Sequence, residues 1–235
     1  MTSQLNDEPF ALGEHSTQDL NKLVDLYRKK KGLFDLFLKN VKGSFASDPT
    51  LNSGVPTTIH SLKSRLKDED HLAEKIKRKW AEGADITESN FFSKVTNFAG
   101  LRVLHLHQNQ FGQIHKFVLD KVRVRNWKLL EKPIAYTWDP ESVDYFKQFR
   151  LRTSVKSSYY TSVHYLLAPA NADEGISCEV QVRTLFEEAW GEIDHSINYP
   201  FATKNMANLE QLRVLSKLVS TGSRLADAIF KVHEG

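Results

Sequence analysis

The chain has 235 residues, of which 40% are hydrophobic and 26% charged, enough for the core of one globular domain with a helical appendage. A formal net charge of +3 excludes a nucleic-acid coat protein or a polybasic membrane binder on total charge, so any electrostatic function must come from local clusters. The single cysteine, Cys178, excludes an intramolecular disulfide. Neither a signal peptide at Met1–Phe10 nor a run of about 18 apolar residues is found. We therefore expect a soluble cytoplasmic protein without a membrane partner.

The first part of the chain is predicted to form two helices followed by a loop. Apolar residues recur every three or four positions from Ser16 to Val41, which is helical spacing, and Gly32 marks the expected break between the helices. Residues 43–56 are rich in Gly, Ser, Asp, Asn and Pro, a composition typical of loops. We assign residues 1–55 to an N-terminal helical segment with its loop.

Strand and helix patterns alternate after this loop, which predicts an α/β or α+β domain built on one sheet. The domain is assigned to residues 56–200 and a C-terminal helical segment to residues 201–235. The apolar face of the tail helix can pack on the domain or against a second copy of the chain. The predicted strands are residues 57–67, 98–106, 122–130, 134–138, 160–168 and 176–184. The predicted helices are residues 69–80, 111–121, 141–149, 185–198 and 205–232.

Polar side chains are expected to share one face of this sheet, because successive side chains of a strand point to opposite faces. In residues 176–184 the alternation places Ile176, Cys178, Val180 and Val182 on an apolar face. The other face carries Glu179, Gln181 and Arg183, and in the preceding strand Tyr160, Ser162 and His164 share one side. A solvated face of an antiparallel sheet produces the same alternation. Single Glu, Gln, His and Tyr residues among arginines and lysines are, however, suited to a polyphosphate and its metal ion.

Two segments have opposite local charge. Residues 59–80 contain seven Lys and Arg against four Asp and Glu, and residues 171–199 contain one Arg against seven Asp and Glu. In the first segment Arg65, Lys67 and Lys75 are the expected phosphate contacts. The cations of residues 77–79 are assigned instead to the end of a helix, where the dipole favours positive charge. Arginine and lysine bind phosphates while carboxylates bind Mg²⁺ and accept protons, so the pattern indicates phosphoryl chemistry. No Gly-x-x-x-x-Gly-Lys or Gly-x-Gly-x-x-Gly loop is found.

Four blocks of residues carry a resemblance to a known family. The blocks are His60–Lys67 followed by Lys75; Asn97–Arg102; Lys156 with Tyr159–His164; and Glu179–Thr184 running on through Trp190, Glu192 and His195. In this order they resemble the synthetase domain of the RelA/SpoT family, which makes the alarmones pppGpp and ppGpp. The resemblance runs from about Pro56 to Tyr199. Because no His-Asp hydrolase motif is found, the chain is similar to a stand-alone synthetase of the family or to a fragment that ends at Gly235.

The resemblance implies a fold, a reaction and a set of site residues. The implied fold is a nucleotidyltransferase-like synthetase domain, with a mixed central sheet flanked by helices and further helices at both ends. The implied reaction transfers the β,γ-diphosphate of ATP to the 3′-hydroxyl of GTP or GDP with Mg²⁺ as cofactor. The implied ATP-binding residues are Arg65, Lys67, Lys75 and Arg102, and the acceptor-binding residues are Lys156, Tyr160, Ser162 and His164. The implied catalytic residues are Glu179, Gln181 and Arg183, and the Mg²⁺ ligands are Glu179 and Asn97.

Two positions depart from the family's pattern. Asn97 stands where the family has an aspartate that binds Mg²⁺, and it offers a carbonyl oxygen without charge. We therefore expect weaker metal binding. Tyr159 stands where the family has a glycine before the tyrosine that stacks on guanine, and tyrosine adopts left-handed backbone angles less readily than glycine. The acceptor preference is therefore left open.

Two other functions remain open. A toxin-like relative transfers the same diphosphate to the 3′ end of tRNA, and it would use cations outside the pocket. The candidates for that contact are Lys121, Arg123, Arg125 and Lys128, which a solvated strand face would also carry. A non-catalytic nucleotide-binding regulator is suggested by Asn97. Glu179 argues against this loss of catalysis, because an inactive site has no need of a carboxylate among arginines.

Overall fold

The computed structural model describes residues 15–156, 158–171, 175–198 and 202–234, and one sheet forms the centre of this part of the chain. The strands are β1 (Ser61–Leu66), β2 (Ala99–His105), β3 (Trp127–Leu129), β4 (Ile134–Tyr136), β5 (Arg152–Ser154), β6 (Ser162–Pro169) and β7 (Cys178–Thr184). The helices are α1 (Thr17–Ser47), α2 (Pro49–Asn52), α3 (Glu69–Ala81), α4 (Phe91–Lys94), α5 (Phe111–Arg123), α6 (Pro140–Lys147), α7 (Leu185–Asn198) and α8 (Met206–Glu234).

The sheet is mixed and flanked by helices, which confirms the expected fold class. Its strand order is β1, β2, β7, β6, β4, β5, with β3 paired to β6. Strands β2 and β7 are parallel, whereas β1 and β6 run antiparallel to their neighbours β2 and β7. One row of side chains across the sheet contains Lys63, Arg102, Gln181 and His164, and the next row contains Arg65, Gly100 and Glu179. The pairing thus brings polar residues from distant parts of the sequence side by side.

The other face of the sheet is the main core. Val180 and Val182 of β7 are buried there, as their alternation with Glu179 and Gln181 predicts. Helices α1, α3 and α5 contribute apolar side chains to the same buried cluster. Packing α1 on the apolar face leaves the polar face of the central strands for a site.

Helix α1 is continuous, so the predicted break at Gly32 is wrong. Its N-terminus is fixed by Ser16, whose hydroxyl accepts a hydrogen bond from the Asp19 backbone in a capping box. Buried residues occur on both sides of Gly32, among them Tyr27 and Phe34. The apolar stripe therefore continues through the glycine, and its burial outweighs the roughly 1 kcal/mol that a glycine costs inside a helix.

The predicted loop at residues 43–56 is also wrong in part. Helix α1 extends to Ser47, and the short helix α2 follows with Pro49 in its first turn and Asp48 as its cap. Phe45 and Leu51 are fully buried and anchor both helices to the core. Composition indicates turn residues here, but it does not reveal which apolar side chains have a partner in the core.

Most other predicted elements are confirmed to within a few residues. The exception is the strand predicted for residues 122–130, because α5 continues to Arg123 and β3 begins only at Trp127. Arg125 has a left-handed backbone angle, φ 58°, and turns the chain between them. The short elements α4 and β5 were not predicted, since four and three residues are too few for a periodic pattern.

Helix α8 packs against the domain along one side. The Trp190 indole of α7 donates a 3.0 Å hydrogen bond to the Leu212 carbonyl, and Ser220 of α8 donates one of 2.7 Å to Asp139. Apolar residues such as Leu218 and Leu225 remain exposed. Packing on the domain is thus observed for one face, whereas contact with a second copy stays a prediction, as do the segment boundaries at residues 55 and 200. None of the helices described is both long and apolar enough to cross a membrane.

Candidate active site

A cleft of about 270 Å³ lies on the polar face of β1, β2 and β7. Five residues that the resemblance implies line it: Arg65, Asn97, Arg102, Glu179 and Gln181. Lys63, Ser64, Glu192 and His195 also line it, and none of them had a predicted role. Gly100 lies between Arg65 and Glu179 in the same row of the sheet. Because glycine has no side chain, the floor of the cleft stays open between a cation and a carboxylate.

Glu179 connects the cleft to the predicted acceptor residues. Its Oε1 lies 3.0 Å from His164 Nδ1, and His164 Nε2 lies 3.0 Å from the Tyr160 hydroxyl. Burial raises the pKa of Glu179, but the hydrogen bond and charge of His164, together with Gln181 and Lys75, outweigh burial and keep that pKa below its usual value. Glu179 is therefore ionised at neutral pH and able to accept a proton.

A cationic cluster adjoins the cleft on β1 and α3. The Lys75 ammonium donates a 2.6 Å hydrogen bond to Asn97 Oδ1. Burial and then the charge of the neighbouring Lys67 are the main causes that lower the pKa of Lys75 to about 8. Burial also lowers the pKa of Lys67, with Arg65 as the next cause. The positive charge of each of these residues makes the charged form of the next less favourable. A bound anion such as a phosphate group would stabilise the charged forms of all three.

Arg78 and Lys79 belong to the same cluster, although the sequence assigned them to the end of α3. Both lower the pKa of Lys75 through their charge, and Arg78 also lowers that of Lys67. The helix dipole explains why cations are favourable at this end of α3. The fold adds a second consequence, since α3 and β1 both pack on α1, and the charges of this last turn act on Lys75 and Lys67.

Arg102 and Arg183 pair with carboxylates of α7. Arg102 Nη1 donates a 3.0 Å hydrogen bond to Glu188 Oε1 and also contacts Glu192. Arg183 is buried, with Nη2 2.6 Å from Glu188 Oε2, and its guanidinium lies 5.6 Å from the centre of the Tyr160 ring. Arg183 does not line the cleft but lies beside the Tyr160 ring, and its catalytic role stays a prediction.

The acceptor residues form the side of the site near β4. Lys156 Nζ lies 4.4 Å from the centre of the Tyr136 ring, and that ring meets His164 edge-on at 4.8 Å. Tyr136 was not predicted, because a strand of three residues has no readable alternation. Ser162 is buried, and its hydroxyl donates a 3.3 Å hydrogen bond to the Val182 carbonyl. The hydroxyl is thus used within the sheet, and the contact between Ser162 and an acceptor stays a prediction.

Tyr159, at the position where the resemblance implies a glycine, has a left-handed backbone conformation with φ 61°. Its ring meets Trp138 edge-on at 5.5 Å, and the Arg213 guanidinium of α8 lies 6.0 Å from the ring centre. Strained backbone persists where surrounding contacts determine it. These two contacts therefore compensate for the missing glycine, and the loop keeps the backbone turn that precedes Tyr160.

The cations considered for contact with tRNA lie near the end of β6 that is farther from the acceptor loop. Lys121 and Arg123 end α5, and Lys128 of β3 pairs with Ala168 of β6. His164 is four residues before Ala168, which corresponds to about 13 Å along a strand. Lys128 is thus separated from the acceptor loop along the sheet.

The oxygen atoms of Glu179 and Asn97 suit a hard cation such as Mg²⁺. Both residues line the cleft, but Asn97 Oδ1 already accepts a hydrogen bond from Lys75. No group of three or more His, Cys, Asp or Glu within the described residues is arranged to bind a metal ion. The residues present would therefore suit an ion most of whose ligands came from nucleotide phosphates, and Glu179 would be its charged protein ligand.

Comparison with known proteins identifies the same region. The family model described as the region found in RelA / SpoT proteins matches residues 64–204. No curated protein matches the chain in sequence.

Several solved structures share the fold. Small alarmone synthetase 1 from Bacillus subtilis is 19% identical, with 90% of this chain and 100% of that chain covered at a TM-score of 0.66. The same synthetase bound to its product pppGpp is 19% identical, with 93% and 100% covered at 0.61. Small alarmone synthetase 2 from Bacillus subtilis is 17% identical, with 87% and 98% covered at 0.63. At these identities the likeness establishes the fold.

Proposed function

Because the chain belongs to the RelA/SpoT family, we propose that it transfers the β,γ-diphosphate of ATP to the ribose 3′-hydroxyl of GTP or GDP. The observation that carries this proposal is the position of Glu179, an ionised carboxylate that faces cations on one side and the acceptor loop on the other. Arg65 lies two strands from it, about 10 Å at ordinary strand spacing, and His164 is within hydrogen-bonding distance. A phosphate donor and a hydroxyl acceptor fit on either side of this carboxylate.

The chemistry follows from these positions. Glu179 accepts the proton of the 3′-hydroxyl, whose oxygen attacks the β-phosphorus of ATP. The bond between that phosphorus and the oxygen bridging to the α-phosphate breaks, so that AMP leaves and the diphosphate is joined to the ribose. Arg65, Lys67 and Lys75 stabilise the phosphate charge, and Mg²⁺, held by Glu179 and the phosphates when bound, would neutralise part of it. Alignment of the two nucleotides contributes much of the rate.

Relatives support this choice of substrates. One Bacillus subtilis structure with this fold contains pppGpp, and another contains the ATP analogue AMPCPP. In this chain Tyr160, His164 and Lys156 are grouped on the acceptor side, where a guanine nucleotide would bind. Tyr160 would stack on the base after its hydroxyl separates from His164.

The test is to follow label from γ-labelled ATP in the presence of Mg²⁺ and, separately, GDP, GTP or deacylated tRNA. We expect label on the guanine nucleotides, and we expect Glu179→Gln to abolish it. Label on tRNA alone would support the toxin-like function. ATP binding without label on any acceptor, at every Mg²⁺ concentration, would support the non-catalytic regulator.

A further inference from the structure

The buried carboxylate of Glu188 pairs with two cations of the cleft, Lys63 and Arg102, and with the buried Arg183. Its Oε1 accepts hydrogen bonds from Lys63 at 2.9 Å and from Arg102 at 3.0 Å, and its Oε2 lies 2.6 Å from Arg183 Nη2. The Glu188 side chain is only 5% exposed. Burial raises its pKa, but Lys63 and the two arginines outweigh burial and keep that pKa below the usual value. Glu188 is therefore a permanent, ionised anchor for the cations.

Glu192 is one helical turn further along α7 and contacts the same nitrogen, Nη1, of Arg102. Its side chain is 53% exposed and lines the cleft. Arg102 thus has one buried carboxylate partner and one partner at the surface of the cleft. Exposed ion pairs contribute little to stability, so the contact with Glu192 can be exchanged at low cost.

We propose that Glu192 is an internal counter-ion, which occupies Arg102 in the nucleotide-free protein and is displaced by the donor triphosphate. This inference rests on the proposed function, because it takes ATP as the ligand of the cationic side. Phosphate oxygens bind guanidinium in the same forked geometry as a carboxylate and carry more charge, so they compete directly for Arg102. Glu188 keeps Arg102 in place during the exchange and acts as a positioning residue.

The sign of the effect follows from electrostatics. When ATP binds, Glu192 loses its partner and leaves a negative charge on the wall of a cleft that contains phosphates, which weakens binding. Glu192→Gln removes this charge and leaves Arg102 paired with Glu188. We therefore expect the variant to bind ATP about two- to fivefold more tightly, the range expected for an exposed ion pair. Glu188→Gln should weaken ATP binding more than tenfold, because the buried Arg183, the half-buried Arg102 and the exposed Lys63 lose their shared anchor.

The experiment measures binding of α,β-methylene-ATP, which cannot transfer its diphosphate, by calorimetry, together with the KM for ATP and for GDP. Glu192→Gln should lower the Kd for the analogue and the KM for ATP and leave the KM for GDP unchanged. Glu188→Asp, which keeps the charge, should restore part of the binding lost in Glu188→Gln. Asp35→Asn is the matched control, because it removes a carboxylate from the 2.6 Å ion pair with Lys39 on the distant helix α1 and should change neither constant.

The outcomes separate this inference from the proposed function. A Kd for the analogue that rises or stays constant in Glu192→Gln would overturn the counter-ion role, since the carboxylate would then be orienting Arg102 or be irrelevant to binding. If the wild-type protein transfers label to no acceptor, the proposed function fails, while the calorimetric comparison still tests the role of Glu192.

Discussion

Lys75 donates its 2.6 Å hydrogen bond to the neutral amide of Asn97, at the position where the family has a charged aspartate. Burial has already lowered the pKa of this lysine to about 8. The neutral amide of Asn97 does not raise the pKa of Lys75 again, whereas a carboxylate would. The pair therefore determines both how strongly the cationic cluster binds phosphate and how many charged ligands the cleft offers to Mg²⁺.

Asn97→Asp should raise the rate of diphosphate transfer or lower the Mg²⁺ concentration needed for half-maximal rate. The new carboxylate forms an ion pair with Lys75 and adds a charged oxygen ligand beside Glu179. A Mg²⁺ titration of the initial rate measures the effect, with Asn97→Ala as the variant that removes the oxygen altogether. An unchanged or lower rate of Asn97→Asp throughout the titration would contradict the expectation.

Tyr159→Gly should raise the KM for the guanine acceptor several-fold and leave the KM for ATP unchanged. Glycine adopts φ 61° without strain, but it removes the ring contacts with Trp138 and Arg213 that stabilise the loop. Steady-state kinetics with each nucleotide varied in turn measure the two constants. Tyr159→Phe keeps the ring and should behave like the wild type; an acceptor KM that falls in Tyr159→Gly would show that strain, not ring contact, dominates.

Glu187→Gln should stabilise the protein at pH 8 and have little effect near pH 4.5. Burial raises the pKa of Glu187 to about 7, although the backbone N–H of Thr184 donates a 2.7 Å hydrogen bond to its carboxylate. Between the ordinary glutamate pKa and about 7 the folded state binds more protons than the unfolded state, so the free energy of unfolding falls as pH rises through this window. Glutamine cannot ionise, so the free energy of unfolding of the variant does not fall for this reason.

The measurement for Glu187→Gln is the Tm of variant and wild type from pH 4.5 to pH 8. As the pH rises, the Tm of the variant minus that of the wild type should increase by several degrees and then level off. Glu210→Gln, in which the carboxylate is exposed, is the control and should give a constant difference. A constant difference for Glu187→Gln as well would mean that its carboxylate is not destabilised by burial.

Phe34→Ala should destabilise the whole domain by about 3–5 kcal/mol, the usual cost of removing a buried aromatic ring. Phe34 is fully buried and contacts the rings of Tyr27, Phe92 and Phe98, so it joins α1 to the sheet. Leu33→Ala is the control because Leu33 is 53% exposed. Urea unfolding with one cooperative transition is expected; a separate early transition for α1 would show that the helix is an independent appendage.

The parts of the site that could be predicted are those with a local signal. Alternation in β7 predicts that Glu179 and Gln181 share a face, because a strand has a period of two residues. The continuity of α1 could not be predicted, since the cost of Gly32 is local whereas the compensating contact of Phe34 with Phe98 joins residues 64 positions apart. Periodicity does not report such contacts.

Pairing between distant residues explains the remaining differences. The sequence places Glu188 in an acidic segment, but only the fold brings it to Lys63 and Arg102. Ser162 and Arg183 lie on the predicted strands and yet are buried, because Ser162 bonds within the sheet and α7 covers Arg183. Tyr136 becomes a site residue through its contact with His164, which its three-residue strand does not reveal.

The most direct measurement is the product balance of one reaction, ATP with GDP and Mg²⁺, in the wild type and in Glu179→Gln. Attack at the β-phosphorus predicts AMP and ppGpp in equal amounts, with the new ester on the ribose 3′-oxygen in the ³¹P spectrum. Glu179→Gln should slow both products together, by about 10²- to 10⁴-fold, as expected for loss of a general base. ADP as the product, or an unchanged rate in Glu179→Gln, would contradict the assignment of Glu179 as the base that directs attack to the β-phosphorus.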